Sequence, residues 1–101
     1  MTLDDTSRAR CPKHVFAREF DGELVLLDLA KGEYYGLDPL GARTWNGLVG
    51  GRSIAEIADE LVADYDIDLN TLRADLVKLL GELAGKGLVE IVADPRSGRR
   101  E

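Results

Sequence analysis

The first part of the chain carries the apolar pattern of a short antiparallel sheet. Residues 14–20 alternate loosely between apolar and polar and end at Asp21-Gly22, a dipeptide favoured in two-residue hairpin turns. Residues 23–30 form a nearly continuous apolar run, which indicates a strand with at least partial cover on both faces. A second glycine-containing turn then precedes a third strand at residues 33–37. We therefore predict a three-stranded antiparallel meander.

The third predicted strand, "EYYGL", is short, aromatic and barely charged. Strand geometry places Tyr35 and Leu37 on one face and Tyr34 and Gly36 on the other. A strand at the edge of a sheet presents unpaired N–H and C=O groups, which soluble proteins normally hide or interrupt. Because this segment carries so little protection, its pattern is typical of an edge that is offered to another chain.

After residue 38 the apolar spacing becomes helical. Asp38 followed by Pro39 is typical of a helix N-terminus, and a first helix is predicted from there to a closing Gly-Gly pair. Ser53 with a glutamate three positions later forms a capping-box pattern and predicts a second helix over residues 54–65. A third helix is predicted over residues 70–86. Its core stripe consists of Leu72, Leu76, Leu80 and Leu83.

The predicted order is three strands followed by three helices, with residues 88–92 as a short final extended segment. A three-stranded antiparallel sheet followed by three short helices is an α+β fold of the winged helix-turn-helix type. We expect one domain over residues 13–92. The flanking residues 1–12 and 93–101 are polar and show no periodicity, so both flanks are expected to be flexible.

Composition and charge limit the partners of this 101-residue chain. Its formal net charge is −6, from 19 acidic and 13 basic residues. Nucleic-acid binding draws most of its affinity from clustered Lys and Arg, whereas the predicted second helix carries four acids and no base. These charges disfavour nucleic acid as a partner. A DNA-binding winged-helix regulator remains the alternative interpretation, and a dimerising or structural subunit is a third.

Residues suited to catalysis or metal binding are scarce. Cys11 is the only cysteine and His14 the only histidine, so an internal disulfide is excluded and a Cys/His zinc site lacks ligands. The glycines of "GLVGG" match no phosphate-binding loop. No apolar run reaches the roughly 18 residues of a membrane span, and the N-terminus lacks the apolar core of a signal peptide. We expect a cytoplasmic protein that is not an enzyme and needs no metal or cofactor.

The predicted elements would form a groove suited to a peptide. A peptide can extend a sheet edge as one more strand while neighbouring side-chain pockets select its sequence. If residues 33–37 form the edge and the helix over 70–86 lies alongside, strand backbone forms one wall and apolar helix residues the other. The spacing leaves open which of the two tyrosines faces this groove. The expected site residues are Glu33, Tyr34, Tyr35, Gly36, Leu37, Leu72, Asp75, Leu76 and Leu79.

The segment from "KGEYYGLDPL" to "GKGLV" resembles the PqqD-like proteins, which are RiPP recognition elements. The similar features are a strand ending in Leu37-Asp38, Trp45 in the first helix, the second-helix sequence "SIAEIADEL" and a third helix with Asp75 near its start. Together they extend over roughly residues 14–92. The sequence "GEYYGLD" followed by Trp45 is most similar to the corresponding sequence in the stand-alone recognition proteins of lasso-peptide biosynthesis.

The resemblance implies that the protein binds the leader of a ribosomally made precursor peptide. It implies delivery of that leader to a separate leader protease and to other modifying enzymes such as a cyclase. It implies no cofactor, no nucleic acid and no membrane partner. Asp75 would then accept a hydrogen bond from the leader or pair with a basic leader residue, while Leu79, which lies off the core stripe, would contact it directly.

Overall fold

The computed structural model describes residues 3–92 of the chain. Five strands and three helices follow one another in these residues. In chain order they are β1 (Arg8–Arg10), β2 (Val15–Phe20), β3 (Glu23–Asp28), β4 (Glu33–Leu37), α1 (Pro39–Val49), α2 (Ile54–Leu61), α3 (Leu69–Gly85) and β5 (Glu90–Val92). None of these helices is long and apolar enough to cross a membrane.

The predicted meander is confirmed. Strands β2, β3 and β4 form an antiparallel sheet in that order, so β4 lies at one edge. The register pairs Leu26 with Tyr35 and Leu27 with Tyr34. This register puts Tyr35 on the same face as Leu26, which is completely buried, and Tyr34 on the opposite face.

The two faces of the central strand, β3, are buried to different extents. Leu24 and Leu26 are buried against the helices, whereas Val25 and Leu27 on the other face are only half-buried. Leu29, the last leucine of the apolar run over residues 23–30, lies beyond the end of β3 and is 65% exposed. The partial cover expected on both faces is thus present at Val25 and Leu27 but does not extend to Leu29.

The helices begin where the capping residues predict. The Asp38 side chain accepts a hydrogen bond from Gly41 N at 2.7 Å. Ser53 and Glu56 form the reciprocal capping box at the start of α2, with distances of 3.2 and 2.8 Å. Helix α2 ends at Leu61, earlier than the predicted residue 65, because the following segment is rich in aspartates, which favour turns.

One hydrophobic core joins the sheet to the helices. Its largest buried side chain is Trp45 of α1, which is 2% exposed. The leucine stripe predicted for the third helix is buried in full, since its four members are at most 3% exposed. Those residues are Leu72, Leu76, Leu80 and Leu83. The stripe anchors α3 firmly and so sets the position of its exposed neighbours relative to β4.

The N-terminal segment differs from the expectation. Residues 1–12 were expected to be flexible, but β1 pairs antiparallel with β5, and Ala9 at its centre is 4% exposed. The carbonyl oxygen of Ser7 also accepts a hydrogen bond from Ile54 N at 3.1 Å, in the first turn of α2. The ordered domain therefore begins before residue 13. The expected flexible tail, residues 93–101, lies outside the described residues.

Candidate functional site

A groove runs between strand β4 and helix α3. It encloses about 570 Å³ and is bounded on one side by the edge strand and on the other by α3. Helix α1 contributes to its floor at one end. Seven of the residues expected from the sequence line it, namely Tyr34, Tyr35, Gly36, Leu37, Asp75, Leu76 and Leu79.

Two expected site residues are not part of the lining. Leu72 is 0% exposed and belongs entirely to the core, because it lies on the buried stripe of α3. Glu33 lies at the start of β4, outside the cavity, where its carboxylate accepts a 2.6 Å hydrogen bond from the Tyr35 hydroxyl. Leu72 is therefore not part of the groove wall, and Glu33 contributes only indirectly, by binding the hydroxyl of Tyr35.

Tyr35 is the tyrosine that faces the groove. It lies on the helix-facing side of β4 and is half-buried, and the Lys86 ammonium lies 4.9 Å from the centre of its ring. The hydrogen bond to Glu33 raises the pKa of Tyr35 above its ordinary value. Tyr34 contributes to the rim but is 74% exposed on the opposite face of the sheet.

The outer edge of β4 carries no strand within the described part of the chain. Strand β3 pairs with it along Glu33–Leu37 on one side only, and the sheet ends there. The N-terminal strand β1 pairs instead with β5 in a separate two-stranded sheet. Backbone N–H and C=O groups of β4 are thus available along the mouth of the groove.

Several lining residues were missed by sequence reasoning. They are Asp38, Leu40, Gly41, Glu82, Leu83, Lys86 and Leu88. Asp38 was assigned only a capping role and Lys86 only a helix end. Glu82 could have been found, because it follows Asp75 by seven positions and so lies on the same face of a helix.

One end of the groove is tied together by two lysines. Lys31, in the turn before β4, donates a 3.0 Å hydrogen bond from Nζ to the carbonyl oxygen of Lys86 at the C-terminal end of α3. Lys86 in turn holds its ammonium over Tyr35. These contacts fix the hairpin against the helix, so the width of the groove is set at this end.

The single cysteine and the single histidine of the chain lie outside the groove. Cys11 and His14 do not line it, and burial raises the pKa of the Cys11 thiol, which lowers its thiolate fraction. Across residues 3–92 no three side chains among His, Cys, Asp and Glu come together as metal ligands. The groove offers backbone hydrogen bonds, apolar surface and charge.

A protein-family model described as Coenzyme PQQ synthesis protein D (PqqD) matches residues 23–89. That span covers strands β3 and β4 and all three helices, and hence both walls of the groove. The chain belongs to the PqqD family. The resemblance inferred from the sequence is thereby confirmed. A search of curated proteins gave no significant match.

Solved structures of three relatives share this PqqD fold. One is TbiB1 in complex with the TbiA(beta) leader peptide, with 40% identity and a TM-score of 0.77 over 84% of this chain and 99% of that one. A lasso peptide synthetase B1 complexed with its leader peptide has 27% identity and a TM-score of 0.77, covering 81% and 96% of the two chains.

The third relative is the PqqD truncation of Methylobacterium extorquens PqqCD, described as a functional, stand-alone RiPP recognition element. It shares 25% identity with a TM-score of 0.74, over 88% of this chain and 95% of that one. The α+β, winged-helix-like fold predicted from the sequence is confirmed by these matches. None of them supports the DNA-binding alternative.

Proposed function

We propose that this protein is a RiPP recognition element that binds the leader segment of a ribosomally made precursor peptide of the lasso type. The leader adds to β4 as a further strand and lays alternate side chains into the groove beside α3. The observation that carries the proposal is the unpaired edge of β4 along a preformed groove, in a chain 40% identical to one solved with a leader peptide.

Strand addition uses groups that β4 already holds in place. An extended leader running along Glu33–Leu37 exchanges backbone hydrogen bonds with the free edge, and every second leader side chain then points toward α3. Because β4 is already paired with β3, the protein loses little conformational entropy when the leader binds.

Apolar contacts, rather than backbone pairing, provide the affinity. Ordering about six flexible leader residues costs roughly 6–12 kcal/mol of backbone entropy. About four or five strand hydrogen bonds return roughly 1 kcal/mol each. Burying about two or three apolar leader side chains adds roughly 1.5–3 kcal/mol each, which makes binding favourable. The side chains of the groove therefore determine which peptide is selected.

Leu79 is the strongest candidate for an apolar contact with the leader. It is half-buried, packs against the edge of the core, lines the groove and lies off the buried leucine stripe, so it has apolar surface to offer to a peptide. Leu37 and Leu76 form the adjoining apolar surface, although Leu76 is 1% exposed and serves the core as well. Tyr35 closes this surface toward the Lys86 end.

The protein acts without catalysis in this proposal. A groove with backbone, apolar and charged groups can hold a peptide, and within residues 3–92 its lining contains no serine, threonine, cysteine or histidine that could serve to cleave it. Processing of the leader therefore belongs to a separate leader protease, with a cyclase acting on the remaining peptide. The recognition element raises the local concentration of the precursor at these enzymes.

Replacing Leu79 tests the proposal. The probe is the leader peptide of the precursor gene that neighbours this protein's gene, titrated by calorimetry. We expect Leu79→Arg to weaken leader binding about tenfold or more, because an apolar contact is lost and a charge is placed in the groove. Thermal unfolding should show that the variant remains folded.

The matched control is Val77→Arg on the same helix. Val77 is half-buried like Leu79 but does not line the groove. This variant should bind the leader with the affinity of the unmodified protein. Equal affinities of the Leu79→Arg variant and the unmodified protein, or a complete lack of leader binding by the latter, would exclude the groove as the binding site.

A further inference from the structure

Charge is distributed unevenly along the groove. Its lining contains three acidic residues, Asp38, Asp75 and Glu82, and one basic residue, Lys86. The acids do not occupy one spot. Helix α3 runs from Asp75 toward Lys86, so Glu82 and Lys86 lie toward its C-terminal end while Asp75 lies in its N-terminal half.

The Lys86 end is close to neutral. Lys86 and Lys31 meet there through the bond from Lys31 Nζ to the Lys86 carbonyl, and Glu33 and Glu82 balance their two positive charges. The Lys86 ammonium is already engaged with the Tyr35 ring. A leader side chain at this end would lie beside the Lys86 ammonium, which already contacts the Tyr35 ring, and in a region of little net charge.

The other end is negative. Asp75 is exposed and, among residues 3–92, no Lys or Arg lies within ion-pairing distance of it. Asp38 uses one carboxylate oxygen to cap α1, and no Lys or Arg within residues 3–92 forms an ion pair with it. No basic side chain lines the groove beside these two residues. Two negative charges therefore face the cavity without a counter-charge from the protein.

The spacing on α3 matches that of an extended peptide. Asp75 and Leu79 are four positions apart and lie on one face, separated by about 6 Å along the helix axis. Same-face side chains of a strand repeat every two residues, or about 6.7 Å. A leader side chain in contact with Leu79 consequently places its neighbour two residues away beside Asp75.

We propose that the leader bound by this groove carries a Lys or Arg two residues from its apolar anchor, on the side of the anchor that meets Asp75 and Asp38. This inference rests on the proposed function and adds the chemistry of the peptide. The basic residue fixes the register along β4. Because only one end of the groove is negative, it also fixes the direction in which the leader runs.

The test is a selection of short random peptides, displayed as a library, against the purified full-length protein. Three proteins are compared: the unmodified chain, Asp38→Asn/Asp75→Asn, and the control Glu19→Gln/Asp66→Asn. Asparagine keeps the helix cap at position 38. The control removes the same number of charges from exposed positions that do not line the groove.

The unmodified chain and the control should enrich peptides with Lys or Arg two residues from an apolar residue, consistently on one side of it. The groove variant should lose this preference while still selecting the apolar residue. For one selected peptide, each lost carboxylate should weaken binding about two- to fivefold, and high salt should remove the difference.

The outcomes separate the two proposals. Peptides that bind and are lost with Leu79→Arg, but show no basic preference, would overturn this inference and leave the proposed function intact. A basic preference that persists in the groove variant, or that disappears equally in the control, would also overturn it. A library without any binder that depends on Leu79 would contradict both proposals.

Discussion

Asp28 is the most deeply buried charged residue near the groove. Its side chain is 0% exposed, and Oδ1 accepts hydrogen bonds from Ala30 N and Lys31 N at 3.0 and 3.1 Å. No group within residues 3–92 donates a hydrogen bond to Oδ2, and His14 Nε2 lies 3.9 Å from Oδ1. Asp28 therefore holds the turn that positions Lys31 and, through it, the closed end of the groove.

Removing the Asp28 carboxylate should destabilise the protein. In Asp28→Ala, two turn N–H groups lose their acceptor, at a cost of about 1–3 kcal/mol in the free energy of unfolding. Asp28→Asn keeps an acceptor and removes the buried charge, so its loss should be smaller. Urea unfolding followed by the fluorescence of Trp45, which is 2% exposed, measures both. A larger loss for Asp28→Asn than for Asp28→Ala would contradict this account of the turn.

Tyr34 and Tyr35 illustrate how far residue-level prediction reaches. Strand periodicity correctly assigns them to opposite faces of the sheet. It does not say which face the helices cover. The structure assigns Tyr35 to the groove because α3 packs on the face that also carries Leu26. The local sequence determines that the two side chains alternate, whereas the position of α3 determines which of them faces the groove.

Helix α2 depends on contacts from a distant part of the chain. Its capping box is local, but Ile54 N and Ala55 N donate to the carbonyl oxygens of Ser7 and Asp5. Arg8 of β1 also forms an ion pair with Glu56 at 3.1 Å. The N-terminal segment thus completes the start of the helix, a position where four backbone N–H groups lack intrahelical partners.

Glu56 should make stability depend on pH. The hydrogen bond from Ser53 N, with a further contribution from Arg8, lowers the pKa of Glu56 in the folded protein. Because this pKa lies below its unfolded value, the stabilisation is present at neutral pH and is lost as the pH falls through the lowered pKa. In Glu56→Gln, the difference in urea midpoint between about pH 7 and about pH 3 should shrink.

Glu60→Gln on the same helix is the control for that measurement, since Glu60 pairs with Arg52 outside the capping box. It should leave the contribution of the cap in place. If Glu56→Gln retained the pH dependence of the unmodified protein, the cap would not be its source.

Residues 88–92 were predicted to be extended and contain β5, but β1 and its pairing with β5 escaped prediction for a physical reason. Three-residue strands are too short for an alternation to be recognised, and their sequences "RAR" and "EIV" lie 80 positions apart at Arg10 and Glu90. Pairing of such distant segments depends on how the intervening helices fold back. The longer strands and the capped helices, by contrast, carry their signals within a few neighbouring residues.

The surface formed by residues 3–92 is unsuited to polyanions. Besides the chain's net charge of −6, four of the arginines within these residues pair with neighbouring carboxylates around α2. The pairs are Arg8–Glu56, Arg52–Glu60, Arg43–Asp64 and Arg73–Asp59. A winged-helix fold alone does not define a function. Here the charge distribution argues against DNA binding, although DNA-binding proteins share this type of fold.

We expect no binding of a short DNA duplex even at low salt, because phosphate neutralisation requires clustered free cations. Fluorescence anisotropy with labelled duplex measures this, and the leader peptide serves as the positive control on the same sample. Saturable duplex binding that weakens steeply with added salt would instead support a regulator.

Much of this architecture follows from local signals along the chain. Apolar spacing, turn dipeptides and helix caps act over a few residues, so they determine the meander, three helices and the leucine stripe of α3 without reference to the rest of the molecule. The family resemblance rests on the same features. Tertiary packing decided the pairing of β1 with β5, the face that Tyr35 occupies and the exclusion of Leu72 from the groove wall. It also decided the meeting of β4 with α3 and the uneven charge between them, because each requires segments far apart in sequence to come together.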